Sequence, residues 1–118
     1  MHTIAFLFKR RPGMSLTDFH HHYKEVHGPI ARLLPGLIEY RQYPIRSAGL
    51  GDVHFKASSG FDGLSIYIFE STEAAEAAWH SPQNVPVQAD TLQFIDLDTM
   101  ITLPLTLRPV LTTLELAP

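Results

Sequence analysis

The residue best placed to do chemistry in this 118-residue chain is His27, which stands at the edge of an apolar helical stripe and directly before Gly28-Pro29. An imidazole can give or take a proton near neutral pH. A residue before proline is pushed out of the helical region, so a break or kink is predicted beside His27, leaving its ring on a cavity wall. Tyr40, on the strand expected to follow, is its candidate partner, a phenol able to donate a hydrogen bond to a developing oxyanion. From spacing alone, each also has a packing reading: a satisfied imidazole at a stripe edge, or a core tyrosine bonded to backbone. Phe6, Phe8, Tyr40, Tyr67 and Phe94 are the expected, largely apolar walls of that cavity, and His54 is a further pocket candidate from a long loop.

Other chemistries find less support. His20, His21 and His22 are adjacent, but successive helical residues point about 100° apart and cannot converge on one ion. Only His20 and His27 are expected to share a face, two turns apart. No metal site is therefore predicted. Ser65 lies on an alternating strand without a GxSxG elbow, which argues against a serine hydrolase. Asp62, in Phe-Asp-Gly, reads as a turn residue, and Asp90 as either the orienter of a base or a solvated helix residue, the structural reading being preferred for both. There are no cysteines, so disulfides and thiolate chemistry are excluded. Neither GxGxxG nor GxxxxGK[ST] is present, which removes nucleotide chemistry of those kinds.

These residues must be held by a small fold. The length suits one domain, and the net charge of -3 gives no reason to expect a nucleic-acid partner, since Lys9-Arg10-Arg11 reads as a solvated turn. No apolar run could span a membrane and no stretch resembles a signal peptide, so a cytoplasmic protein is expected. Thr3 to Lys9 reads as a strand. Ser15 and Asp18 open a helix whose stripe is Leu16, Phe19, Tyr23 and Val26, with Asp18, His21, Lys24 and Glu25 outside. Leu37 to Tyr43 is the second strand, with Ile38, Tyr40 and Gln42 on one side. The glycine-rich stretch from Pro44 to Gly63 reads as a loop with an irregular hairpin at most, followed by a third strand, Leu64 to Phe69. Ser71 or Thr72 caps an alanine-rich helix, Ser81-Pro82 interrupts it, and Val85, Ala89 and Leu92 mark a further helical segment. A last strand is expected to begin near Phe94, with alternation from Thr99 to Leu107 and Pro104 marking an edge or a bulge.

The predicted order is βαββαβ, the ferredoxin-like α+β class, with a four-stranded antiparallel sheet covered on one face by helices. Both faces of the first and third strands are apolar, so the uncovered face predicts a homodimer closed sheet to sheet. The domain is expected to span residues 1–107. Residues 108–118 form a tail in which Val110, Leu111, Leu114 and Leu116 call for a partner surface, such as the second subunit.

The stretch KRRPGMSLTDFHHHYKEVHGPIARLLPGLIEY resembles the opening of the EthD family, named for ethyl tert-butyl ether degradation. There, a strand and a KxxPGxS turn lead through a helix into an HxPxxxxxPGLxxY segment. Phe61-Asp62-Gly63-Leu64, the strand ending in Phe69, and the helix with Ser81-Pro82 followed by Ala89-Asp90 match the family's second half. The resemblance implies a dimeric α+β barrel with a cavity between sheet and helices, the family histidine at His27 and the strand tyrosine at Tyr40. It also implies activities such as cofactor-independent lactone isomerisation, or dehydration of aromatic polyketides, and related barrels include cofactor-free monooxygenases and haem-binding enzymes. The third strand departs from the family's AELWF-like run, since Ile66 and Ile68 stand here, and the tail beyond Pro104 is longer than expected. The combined expectation is an isomerase or lyase of small cyclic or aromatic catabolites that needs no cofactor, with His27 as general acid or base. The alternatives are a dimeric binding protein without catalysis and a cofactor-free monooxygenase.

Overall fold

In the computed structural model, residues 1–52 and 59–113 are described. The strands are β1 (His2–Phe8), β2 (Leu37–Pro44), β3 (Gly63–Phe69) and β4 (Ile101–Leu105). They form one antiparallel sheet in the order β2-β3-β1-β4. Helices α1 (Leu16–His21) and α2 (Gly28–Ala31) flank a π-helical stretch, His22–His27, and α3 (Thr72–Trp79) and α4 (Asn84–Phe94) connect β3 to β4. This is the ferredoxin-like α+β fold, as the order of elements in the sequence predicts. Among the described residues no helix is long and apolar enough to cross a membrane.

Local chemistry explains the boundaries. Ser15 caps α1 by accepting the Asp18 N-H at 3.1 Å, and Ser71 caps α3 by accepting the Ala74 N-H at 3.0 Å. Asp62 accepts both the Arg10 backbone N-H and its guanidinium, tying the exit of β1 to the entry of β3. Its role is structural.

Cross-strand rows assemble the helix-facing side of the sheet. Phe6, Ser65 and Gln42 lie in one row and Ile4, Tyr67 and Tyr40 in the next. Phe8 is paired with Gly63, and a Cβ at Gly63 would lie 2.6 Å from the Phe8 ring, so only glycine lets that ring lie flat on β3. The buried core has two parts. Phe8, Phe19, Tyr23, Phe94 and Ile95 form one, while Ala31, Leu34, Tyr67, Phe69, Ala75, Ala78 and Val87 form the other. The opposite side of the sheet carries Ala5, Leu7, Leu64, Ile66, Ile68, Ile101 and Leu103 from β1, β3 and β4, bordered by Glu39, Arg41 and Tyr43 of β2, with no layer of this chain against it among the described residues.

Several expectations need correction. The helix does not break at His27, because Gly28 keeps helical angles (φ -53, ψ -54) and the chain continues through Pro29 into α2. Glycine lacks the Cβ that makes the helical region crowded before proline. The apolar stripe also shifts: Leu16 is exposed, Val26 only half-buried, and His27 takes the buried position. In β2 a bulge between Leu37 and Glu39 turns Ile38 outward, 53% exposed, so Ile38 does not share a face with Tyr40. Phe94 ends α4 rather than starting a strand, and β4 begins at Ile101. In α4 the anticipated Val85 and Leu92 are exposed, and the buried positions are Asn84, Val87, Asp90 and Phe94. His54 and residues 114–118 lie outside the described residues. Residues 106–113 contain no helix or strand, and Val110 and Leu111 are exposed.

Candidate active site

The site starts from the irregular winding of residues 22–27. In an α-helix residues five apart are separated by roughly 140° around the axis. In the wider π-helix they approach one another on the same side. Residues His22 and His27 are five apart, and both reach one carboxylate of α4. His22 Nε2 lies 2.8 Å from Asp90 Oδ1, and His27 Nδ1 lies 2.8 Å from Asp90 Oδ2. Phe94, one turn further along α4, is the platform under both rings, with centroids 4.8 Å from each.

Proton positions follow from this geometry. A carboxylate only accepts, so each imidazole donates the N-H that faces it. His27 therefore carries its proton on Nδ1, leaving the Nε2 lone pair as its free basic site. His27 is 4% exposed. Burial, the largest influence, pulls its pKa below the ordinary 6.5, while the hydrogen bond and charge of Asp90 oppose that and His22 adds to it. The ring is thus neutral and able to accept a proton at pH 7. Among the described residues no three His, Cys, Asp or Glu side chains are grouped to hold a metal ion.

His27 lines a cavity of about 420 Å³ between sheet and helices. Its walls draw on both core clusters, Phe8 and Ile95 from one and Tyr67 and Val87, with Trp79 against them, from the other, and Phe6 packs against both. Such a volume and a largely apolar lining suit a small organic molecule. Ser65 supplies a hydroxyl from the middle of β3, and Asn84, Gln88 and Thr91 supply polar groups from α4.

The anticipated residues are distributed unevenly around this space. Residues Phe6, Phe8, His27 and Tyr67 line it. Tyr40 does not; it stacks on Tyr67 at 4.6 Å, and its hydroxyl accepts from Gln42 Nε2 at 2.8 Å. Burial raises the Tyr40 pKa, and still more that of Tyr67, so both remain neutral donors. Phe94 is fully buried beneath the histidines rather than a wall. Sequence reasoning missed the pairing of His22 with His27, because it assumed α-helical spacing throughout. It also left Asp90 outside the site, although Val87, Asp90 and Phe94 recur at helical spacing, and a carboxylate in such a stripe demands buried donors.

Comparison with known proteins adds the following. The EthD domain model matches residues 11–98. No curated protein sequence gives a significant match. A crystal structure of an EthD family protein from Bacillus halodurans C-125 superposes with a TM-score of 0.66 at 16% identity, covering 90% of this chain and 100% of that one. SnoaB, a cofactor-independent oxygenase from Streptomyces nogalater, gives 0.62 at 15% identity, covering 93% and 95%. A dimeric ferredoxin-like protein of unknown function from Jannaschia sp. CCS1 gives 0.62 at 16% identity, covering 91% and 100%.

Proposed function

The chain belongs to the EthD family, and from that premise we propose that it is a cofactor-independent enzyme acting by proton transfer on a small cyclic or aromatic metabolite. His27 is the general base and, once protonated, the general acid. The observation that carries this reading is the 2.8 Å contact of His27 Nδ1 with Asp90, made by an imidazole that also lines an apolar cavity. The carboxylate fixes the tautomer and stabilises the imidazolium as it forms. Burial keeps the resting ring neutral.

Transfer of a proton from one carbon to His27 Nε2 and back to another carbon is an isomerisation. Return of the proton to a departing hydroxyl is a dehydration. Oxygenation is the second reading, favoured by the structural similarity to a cofactor-independent oxygenase, and it shares the initial deprotonation. The working form is a homodimer. Its support is the apolar open face of the sheet and the dimeric state of a similar ferredoxin-like protein. Solvent deuterium exchange into enolisable cyclic ketones, followed by NMR, tests the reaction. His27→Ala is expected to abolish exchange with the dimer intact; exchange at the unaltered rate, or tight ketone binding without exchange in the wild type, overturns the assignment.

A further inference from the structure

We propose that Ser65 is the group that holds the reacting oxygen of the substrate, and that Tyr23 positions its hydroxyl. The inference rests on the reading of His27 as the base, and it assigns the second half of the same reaction.

The polar side chains of the cavity differ in what they have left to offer. The Asn84 amide donates to the Trp79 carbonyl at 2.9 Å, and the Thr91 hydroxyl donates to the Val87 carbonyl at 2.8 Å. Gln88 sits at the exposed rim, and the Tyr67 hydroxyl is engaged by that of Tyr40. Ser65 is 3% exposed, on β3, one of the two inner strands of the sheet, in the row of Phe6 and Gln42. Its Oγ lies 2.7 Å from the Tyr23 hydroxyl, which is also 3.0 Å from the Leu64 carbonyl.

Two hydroxyl protons serve this short chain. When Tyr23 donates to Leu64, Ser65 donates to Tyr23 and turns its lone pairs to the cavity. When Tyr23 donates to Ser65, the serine proton is free to point into the cavity. The pair therefore offers an acceptor in one state and a donor in the other, with no change of charge. A carbonyl oxygen and the enolate formed from it both need a donor, which the second state supplies, while the first state receives a neutral enol or phenol hydroxyl. In the balanced step, the C-H proton goes to His27 Nε2, its bonding pair forms the C=C bond, and the carbonyl π pair moves to the oxygen held by Ser65. Reprotonation by His27 at a different carbon regenerates the carbonyl. Tyr23 itself does not touch the substrate, since it is absent from the cavity lining. It comes from the same π-helical stretch as His27, so one irregular segment sets both the base and the oxygen site.

The test pairs binding with exchange. Affinity for 2-naphthol, a planar enol mimic, and for naphthalene, its oxygen-free counterpart, is measured by fluorescence titration. Deuterium exchange into 2-tetralone is followed by NMR. For Ser65→Ala, affinity for 2-naphthol is expected to weaken about tenfold with naphthalene unchanged, and exchange to slow about 10²-fold. Tyr23→Phe, which keeps the ring, is expected to reproduce the selective loss in smaller measure. Equal weakening of both aromatic probes, no weakening of either, or no binding of 2-naphthol by the wild type overturns the role of Ser65. His27→Ala separates the two claims. If it abolishes exchange while Ser65→Ala changes nothing, the oxygen site fails alone; if it leaves exchange intact while Ser65→Ala discriminates the probes, the base assignment fails alone.

Discussion

Asp90→Asn removes the charge at the centre of the site while keeping its shape. The carboxylate accepts one N-H from His22 and one from His27, both at 2.8 Å. Asparagine has one acceptor oxygen and one donor amide, so only one imidazole can keep its present tautomer. The His22 side chain is 20% exposed and that of His27 5%, so His22 is the one able to switch and use water for its displaced proton. His27 then faces a neutral oxygen in place of a charge. Exchanging two charge-assisted hydrogen bonds for neutral ones forfeits about 1 kcal/mol at each, about 2 kcal/mol in all. In a domain of this size that corresponds to a drop in Tm of roughly 6–12 °C. The sharper readout is the His27 titration, followed by nitrogen-resolved NMR of the imidazoles. Burial lowers this pKa and Asp90 opposes it, so removing the charge should move the titration to lower pH. A weaker base then slows proton abstraction by about 10²-fold. A His27 titration that stays in place or moves up would refute the assigned roles, whatever the change in Tm.

Three further outcomes are expected. The folded pKa of His27 lies below its ordinary 6.5, so the unfolded chain takes up the proton first. The stability it contributes is complete above pH 6.5 and is lost as pH falls towards the folded value; urea midpoints of the wild type should show that decline, and His27→Gln should remove this part of it. Gly63→Ala places a Cβ 2.6 Å from the Phe8 ring, and overpacking of this kind should cost about 1–3 kcal/mol in thermal or urea unfolding. Ile66→Lys puts an unpaired charge on the open face, between Ala5 and the like-charged Arg41, and light scattering should show a monomer; a dimer of unchanged affinity would remove that face as the interface.

Much of the fold was legible because local signals agreed with one another. Ser15 and Ser71 announced their helices, alternation located β1 and β3, and the order of elements was enough for the topology. Errors arose where one residue altered the count. The bulge in β2 flips Ile38 outward, and nothing in the alternation of Leu37 to Tyr43 marks it. In α4 the apolar residues Val85 and Leu92 pointed to the wrong face, because the buried face carries Asn84 and Asp90 for the site. His27 was legible as a residue of interest, but its partners were not. Asp90 is 63 residues away, and its meaning appears only when α4 is laid against the π-helical stretch.

The π winding ties these observations together. Proline at position 29 has no N-H, so the carbonyl of Glu25 loses its usual i+4 donor, and the ordinary ladder is already interrupted there. The Gly28 N-H reaches back to the Tyr23 carbonyl, five residues earlier, and Gln42 Nε2 donates to the same carbonyl at 2.7 Å. Gln42 stands in the sheet row of Ser65 and also holds the Tyr40 hydroxyl. A Cβ at Gly28 would come within 3.2 Å of the Gln42 amide, so glycine at this point permits the contact. With regular α-helical winding, His22 and His27 would diverge by roughly 140° and could not share Asp90. The wider turn converts that divergence into convergence, and the Gln42 amide anchors it to the strand row that bears Ser65. Tyr40 thus contributes from behind the cavity, through Gln42 and Tyr67, to the geometry of a site it does not line.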